Sequence, residues 1–177
     1  KEILTFSLPI IAGQIGQMFF GVGDIIVAGR YSSLAVASIG VGAMIFAPFL
    51  MTGIGVLFCT GPLASQLKGE GKSDPTLLFN AYLVSFIIGI ILSLILFFPE
   101  LYISYFKLNP EIVPHVIMFL KWTAFSIFPA FIFQATKEYL QAQGKVYAPN
   151  AIIWFYNVVN IALNILFLFG LGTFKGF

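Results

Sequence analysis

Five stretches of mostly apolar residues follow one another along the chain, and that pattern leaves few folds open. They cover about residues 3–28, 34–66, 76–98, 112–142 and 150–171. A helix needs roughly 20 apolar residues to cross a hydrocarbon core about 30 Å thick, and each run is long enough. None alternates with period two, and all are too long for barrel strands, so helices are expected. Composition agrees: 59% of the residues are hydrophobic and 9% charged, with mean hydropathy +0.99. Soluble domains carry about 25% charged residues, so this chain cannot build an ordinary wet surface. The expected fold class is an all-α, polytopic bundle of five transmembrane helices. A net charge of +2 is too small to argue for nucleic acid as a partner. The single cysteine, Cys59, offers no disulfide framework and reads most simply as a small core residue.

The breaks between runs are short: "GRYSS", "KGEGKSDP", "PELYISYFKLNPE" and "QGKVYAP". Only "KGEGKSDP" (residues 68–75) is plainly aqueous, whereas the two tyrosines and mixed charge of the third suit the membrane interface. The second run contains Pro48 and Pro62 and exceeds the core thickness, which predicts tilt, a kink or a protruding end. The first apolar run is too long for a signal-peptide core and is kept as a span. With the N-terminus inside, Lys1, Lys68, Lys72 and Lys145 fall on the inner side, with Lys137 near the edge. Arg30, Lys107 and Lys175 then fall on the outer side, a slight bias toward the positive-inside arrangement. A chain that opens on Lys1 and closes on "GTFKGF" is expected to belong to a longer one.

An acid stands inside the first run. Asp24 shares a helical stripe with Gln14, Gln17 and Gly21 at spacings of 3, 4 and 3. Asn157, Asn160 and Asn164 form a stripe on the fifth run, and Gln134, Lys137, Glu138 and Gln141 form one on the fourth. Lipid penalises such seams unless they face one another or water. Counted from the inner side, Asp24, Asn160 and Asn164 reach similar depth, whereas the fourth-run seam lies near the inner surface. There the simpler reading is that Lys137 snorkels to the interface, with Glu138 as its surface partner. The asparagines can serve as interhelical glue or as part of a site with Asp24. Gln14, Gln17, Asn157 and Gln134 are candidates for the wall of a substrate cavity.

Several segments together resemble the multidrug and toxic compound extrusion (MATE) transporters. They are Pro9 fifteen residues before Asp24, then "VAGRYSSLAVASIGVG", "GPLASQLKGEGK", "YLQAQGKVYAPN" and "NVVNIALNILFLFGLG", in family order across nearly the whole chain. The resemblance implies five helices of an N-terminal six-helix lobe, whose partner would be a C-terminal lobe in the same chain. It also implies export of small organic, often cationic compounds by antiport with H+ or Na+, without a cofactor, from a cell membrane with the N-terminus cytoplasmic. On that resemblance Asp24 matches the family's first-span acid, Asn160 a fifth-span asparagine of the same network, and Gln17 a residue near the cavity. Pro9 matches the proline at which the first helix bends. Asn164 stands where some members carry a second aspartate, leaving one embedded carboxylate on this face. Asp24 and Asn160 are the expected ligands if the ion is Na+. The "LQAQG" turn is also similar to eukaryotic members.

Other classes fit less well. "GVGD", residues 21–24, matches a motif of intramembrane aspartyl proteases, but that chemistry needs two carboxylates, and the only other aspartate is Asp74 in the aqueous loop. A lipid-linked oligosaccharide flippase of the same superfamily architecture would call for cations facing an anionic substrate, and none sits beside Asp24.

Overall fold

A computed structural model describes residues 2–72 and 75–169, with side chains for 7–72 and 75–167. The end of the fifth run beyond residue 169 and two residues of the aqueous loop, Ser73 and Asp74, lie outside the described residues. Among the described residues six α-helices follow in order: α1 (Glu2–Tyr31), α2 (Ser33–Leu57), α3 (Thr60–Gly69), α4 (Pro75–Phe97), α5 (Val113–Ala142) and α6 (Tyr147–Phe169). Five segments of the described residues are long and apolar enough to cross a membrane, α2 and α3 together forming one of them. The chain is an all-α, multi-pass membrane protein.

The second run breaks into two helices at Phe58 and Cys59, and Pro62 supplies the reason. Proline has no N–H for the carbonyl four residues earlier, and its ring crowds that carbonyl. Here that carbonyl belongs to Phe58. Cys59 N–H turns instead to Val56 O at 3.4 Å, and Leu63 N–H restarts the ladder on Cys59 O at 3.2 Å. Cys59 is exposed at this break, which corrects its reading as a core residue. At the other end of α3, Gly71 takes φ 69°, and Lys72 N–H closes back onto Leu67 O at 2.9 Å. That left-handed cap lets the chain leave the helix without stranding its last carbonyls. Gly144 also takes a positive φ, 84°, just after α5.

The helices gather into two compact units. The first takes the chain up to Ile39 and from Gly144 onward, so it holds α1, the start of α2, and α6. The second, Gly40–Gln143, holds the rest of α2 with α3, α4 and α5. In the second unit α5 is the central element. Its Val116, Leu120, Ala124, Ile127, Phe131 and Ala135 are fully buried at spacings of three and four, one face of a helix. Gly42 and Gly53 of α2 receive the rings of Phe119 and Phe131. Hydroxyls tie α4 to α5: Ser93 Oγ donates to Ala124 O at 2.9 Å, and Tyr82 shares a hydrogen bond with Thr136. Between α4 and α5 lie two 3-10 turns, Pro99–Leu101 and Ile103–Phe106. There Glu100 pairs with Lys121, whose hydrogen bond holds the Glu100 carboxyl below its ordinary 4.5. Burial pushes the neighbouring Tyr102 phenol up, and the charge of Glu100 adds to this.

Candidate cation-coupling site

In the first unit α1 and α6 lie side by side and run in the same direction. Gly13 meets Asn150, Gly16 meets Ile153 and Asn157, Gly23 meets Ile161, and Asp24 meets Asn164, so contacts advance together along both helices. Small residues let two membrane helices approach closely, and α1 presents buried Gly13, Gly16 and Gly23 to its neighbour. A Cβ at Gly16 would stand 2.8 Å from Ile153 Cγ2, tighter than side chains tolerate. Asn157 Nδ2 crosses the seam to Gly16 O at 2.8 Å and also donates to Ile153 O at 3.0 Å. Asn150 Nδ2 donates to Val146 O at 2.8 Å, and its side-chain oxygen packs on Gly13.

That contact sets the register for the acid. Asp24 is half-buried, seven residues before the end of α1, or about 10 Å at 1.5 Å per residue. Its Oδ1 accepts a hydrogen bond from Asn164 Nδ2 at 2.6 Å. The same amide nitrogen lies 3.4 Å from Asn160 Oδ1, so all three side chains gather at one point. Among the described residues no ion pair holds Asp24. A carboxylate has about four acceptor positions, and the amide of Asn164 fills one. Among the described residues no three of His, Cys, Asp and Glu come together. The oxygens gathered here are the Asp24 carboxylate and Asn160 Oδ1, both bonded by Asn164 Nδ2, and both are hard oxygens of the kind that hold Na+.

The other expected residues are placed variously. Gln17 is half-buried two turns below Asp24 on the same side of α1, whereas Gln14 and Gly21 are exposed. Pro9 sits within a continuous α1. Two of the expected cavity residues are buried with their amide nitrogens bonded. Asn157 is 3% exposed with its nitrogen committed to Gly16, and Gln134 is 2% exposed with its nitrogen donating to Glu138 Oε1 at 2.9 Å. The Asn157 nitrogen is thus committed to backbone carbonyls and that of Gln134 to Glu138, whereas the buried Asn157 Oδ1 has no hydrogen-bond partner among the described residues. Lys137 departs further from expectation. It is 2% exposed, so it does not snorkel; its Nζ faces Glu138 Oε1 at 3.9 Å inside the second unit. The glycines opposite α6 were not singled out from the sequence, and their spacings of three and seven residues lack the four-residue GxxxG step that signals close helix packing.

The MatE family model matches residues 9–166, nearly all of the described chain. The chain belongs to the MatE family. This MatE chain is 28% identical over 174 residues to the multidrug resistance protein NorM of Photobacterium profundum, covering 96% of the chain and 38% of that relative. It is likewise 28% identical over 175 residues to the multidrug resistance protein MdtK of Pectobacterium atrosepticum, with the same coverage. To a probable multidrug resistance protein NorM of Pasteurella multocida it is 30% identical over 177 residues, covering 37% of that relative. The chain therefore spans about two fifths of the length of these relatives.

Proposed function

We propose that this MatE chain is part of a secondary active transporter that exports small organic, often cationic compounds by antiport with H+ or Na+. Asp24 is its coupling carboxylate, assisted by Asn160 and Asn164. The observation that carries this reading is the company Asp24 keeps: an acid within a membrane-spanning helix whose near partners are neutral amides. A carboxylate in hydrocarbon is costly unless something neutralises it. A proton on Asp24, or Na+ held by Asp24, Asn160 and a rotated Asn164 amide, does so. A cationic drug does so too. Cation and drug then compete for one negative charge, which is a coupling free energy between two ligands. Alternating access turns that competition into exchange across the membrane.

Gln17 and Gln14 lie below Asp24 on α1 and would face the substrate on its way to the acid. Pro9 deprives the carbonyl four residues earlier of its helical partner, so in this reading the first turns of α1 bend there while Asn157 holds Gly16 to α6. The lysines of the 68–75 loop and Lys145 support a cytoplasmic N-terminus. The multidrug resistance names of the relatives support the substrate class, and their greater length supports a second lobe that completes the pathway.

The test is gradient-driven efflux of a cationic dye from vesicles reconstituted with the full-length protein. Asp24→Asn is expected to insert and fold yet to lose coupled efflux. Full coupled efflux by that variant would make Asp24 a structural residue and remove this reading.

A further inference from the structure

The second embedded acid is built on a different plan. Glu138 Oε1 accepts from Gln134 Nε2 at 2.9 Å and faces Lys137 Nζ at 3.9 Å. The two charged side chains are 13% and 2% exposed. The other oxygen, Oε2, lies 3.0 Å from where a Cβ at Gly61 would stand, so the glycine in the first turn of α3 leaves the carboxylate its room. Gln134, Lys137 and Glu138 all belong to α5, so the ammonium cannot diffuse away from the acid it faces. A tethered ligand competes at an effective concentration set by its tether, far above that of a free ion. A second cation at Glu138 would also lie beside the ammonium, and like charges repel strongly where water is scarce.

We propose that Lys137 is a tethered cation that occupies Glu138 and so confines exchangeable cation binding in this chain to Asp24. The proposal rests on the export reading above and adds to it a rule of stoichiometry.

Cation uptake per molecule is the measurement, made on the purified full-length protein by calorimetric titration with Na+ and by proton uptake in weakly buffered solution. Glu138→Gln is expected to keep the wild-type stoichiometry, because its carboxylate is already occupied. Lys137→Gln is expected to gain one cation per molecule, and Lys137→Gln/Glu138→Gln to lose that gain. Lys137→Arg should stay at the wild-type value. Loss of one equivalent in Glu138→Gln would show that Glu138 itself exchanges, which overturns the proposal even if Lys137→Gln does not fold. No gain in a folded Lys137→Gln would overturn it as well. If Asp24→Asn keeps every equivalent while the other variants behave as stated, the export reading and the confinement of exchange to Asp24 both fail, and only the occupation of Glu138 by Lys137 stands.

Discussion

Asp24 and Glu138 are both acids within membrane-spanning helices, and each accepts a hydrogen bond from a side-chain amide, yet their settings differ in one respect. Asp24 has Asn164 and Asn160 around it and no ion pair among the described residues. Glu138 has Gln134 and, in addition, the ammonium of Lys137. On the export reading proposed above, burial alone does not mark a coupling acid. An acid that is to take up and release a cation needs partners that steady its oxygens without cancelling its charge. Asn and Gln provide this, whereas lysine does not.

The sharpest way to break this contrast is to give Asp24 its own lysine. Asn164→Lys places an ammonium where the amide now donates, and coupled export should fall about a hundredfold, near the upper end of site-to-site coupling energies. The protein should still reach the membrane, since the new charge is paired. Retention of efflux would mean that a fixed counter-charge at Asp24 does not matter. Asn164→Ala is milder. It removes one hydrogen bond to a charged group, worth about 1.5–3 kcal/mol, yet leaves Asn160 in place. Export in reconstituted vesicles should drop severalfold and remain coupled. Asn157→Ala should act on the frame. Interhelical hydrogen bonds in membranes contribute about 0.6–2 kcal/mol, so thermal stability in detergent should fall modestly. Export measured per folded molecule should stay close to wild type. A loss of coupling in that variant with stability unchanged would move Asn157 into the site.

Much of this was legible in the sequence, for reasons that can be named. The apolar runs carry the spans because hydrocarbon permits little else, and the three- and four-residue spacing of Asn157, Asn160 and Asn164 places them on one helix face. What stayed hidden depends on neighbours. Asn157 and Asn164 share a stripe, but only the approach of Gly16 tells that the first is interhelical glue. Glycine announces its role weakly, since a missing side chain has meaning only against the residue that fills the space. The depth of Lys137 could be counted along the helix, but whether protein or lipid covers it could not. The break at Phe58 was foreshadowed by Pro62, yet a proline in a long run can kink a helix as readily as end it.

The competition proposed at Asp24 can be measured without any gradient. Equilibrium binding of a cationic dye to the purified full-length protein, followed while Na+ is raised or pH is lowered, reads it directly. In the wild type the dye should bind more weakly as the coupling cation is added, because both ligands seek the same charge. In Asp24→Asn the dye should bind weakly throughout, with the dependence on that cation gone. An Asp24→Asn protein whose dye affinity still falls with the cation as the wild type's does would contradict the account.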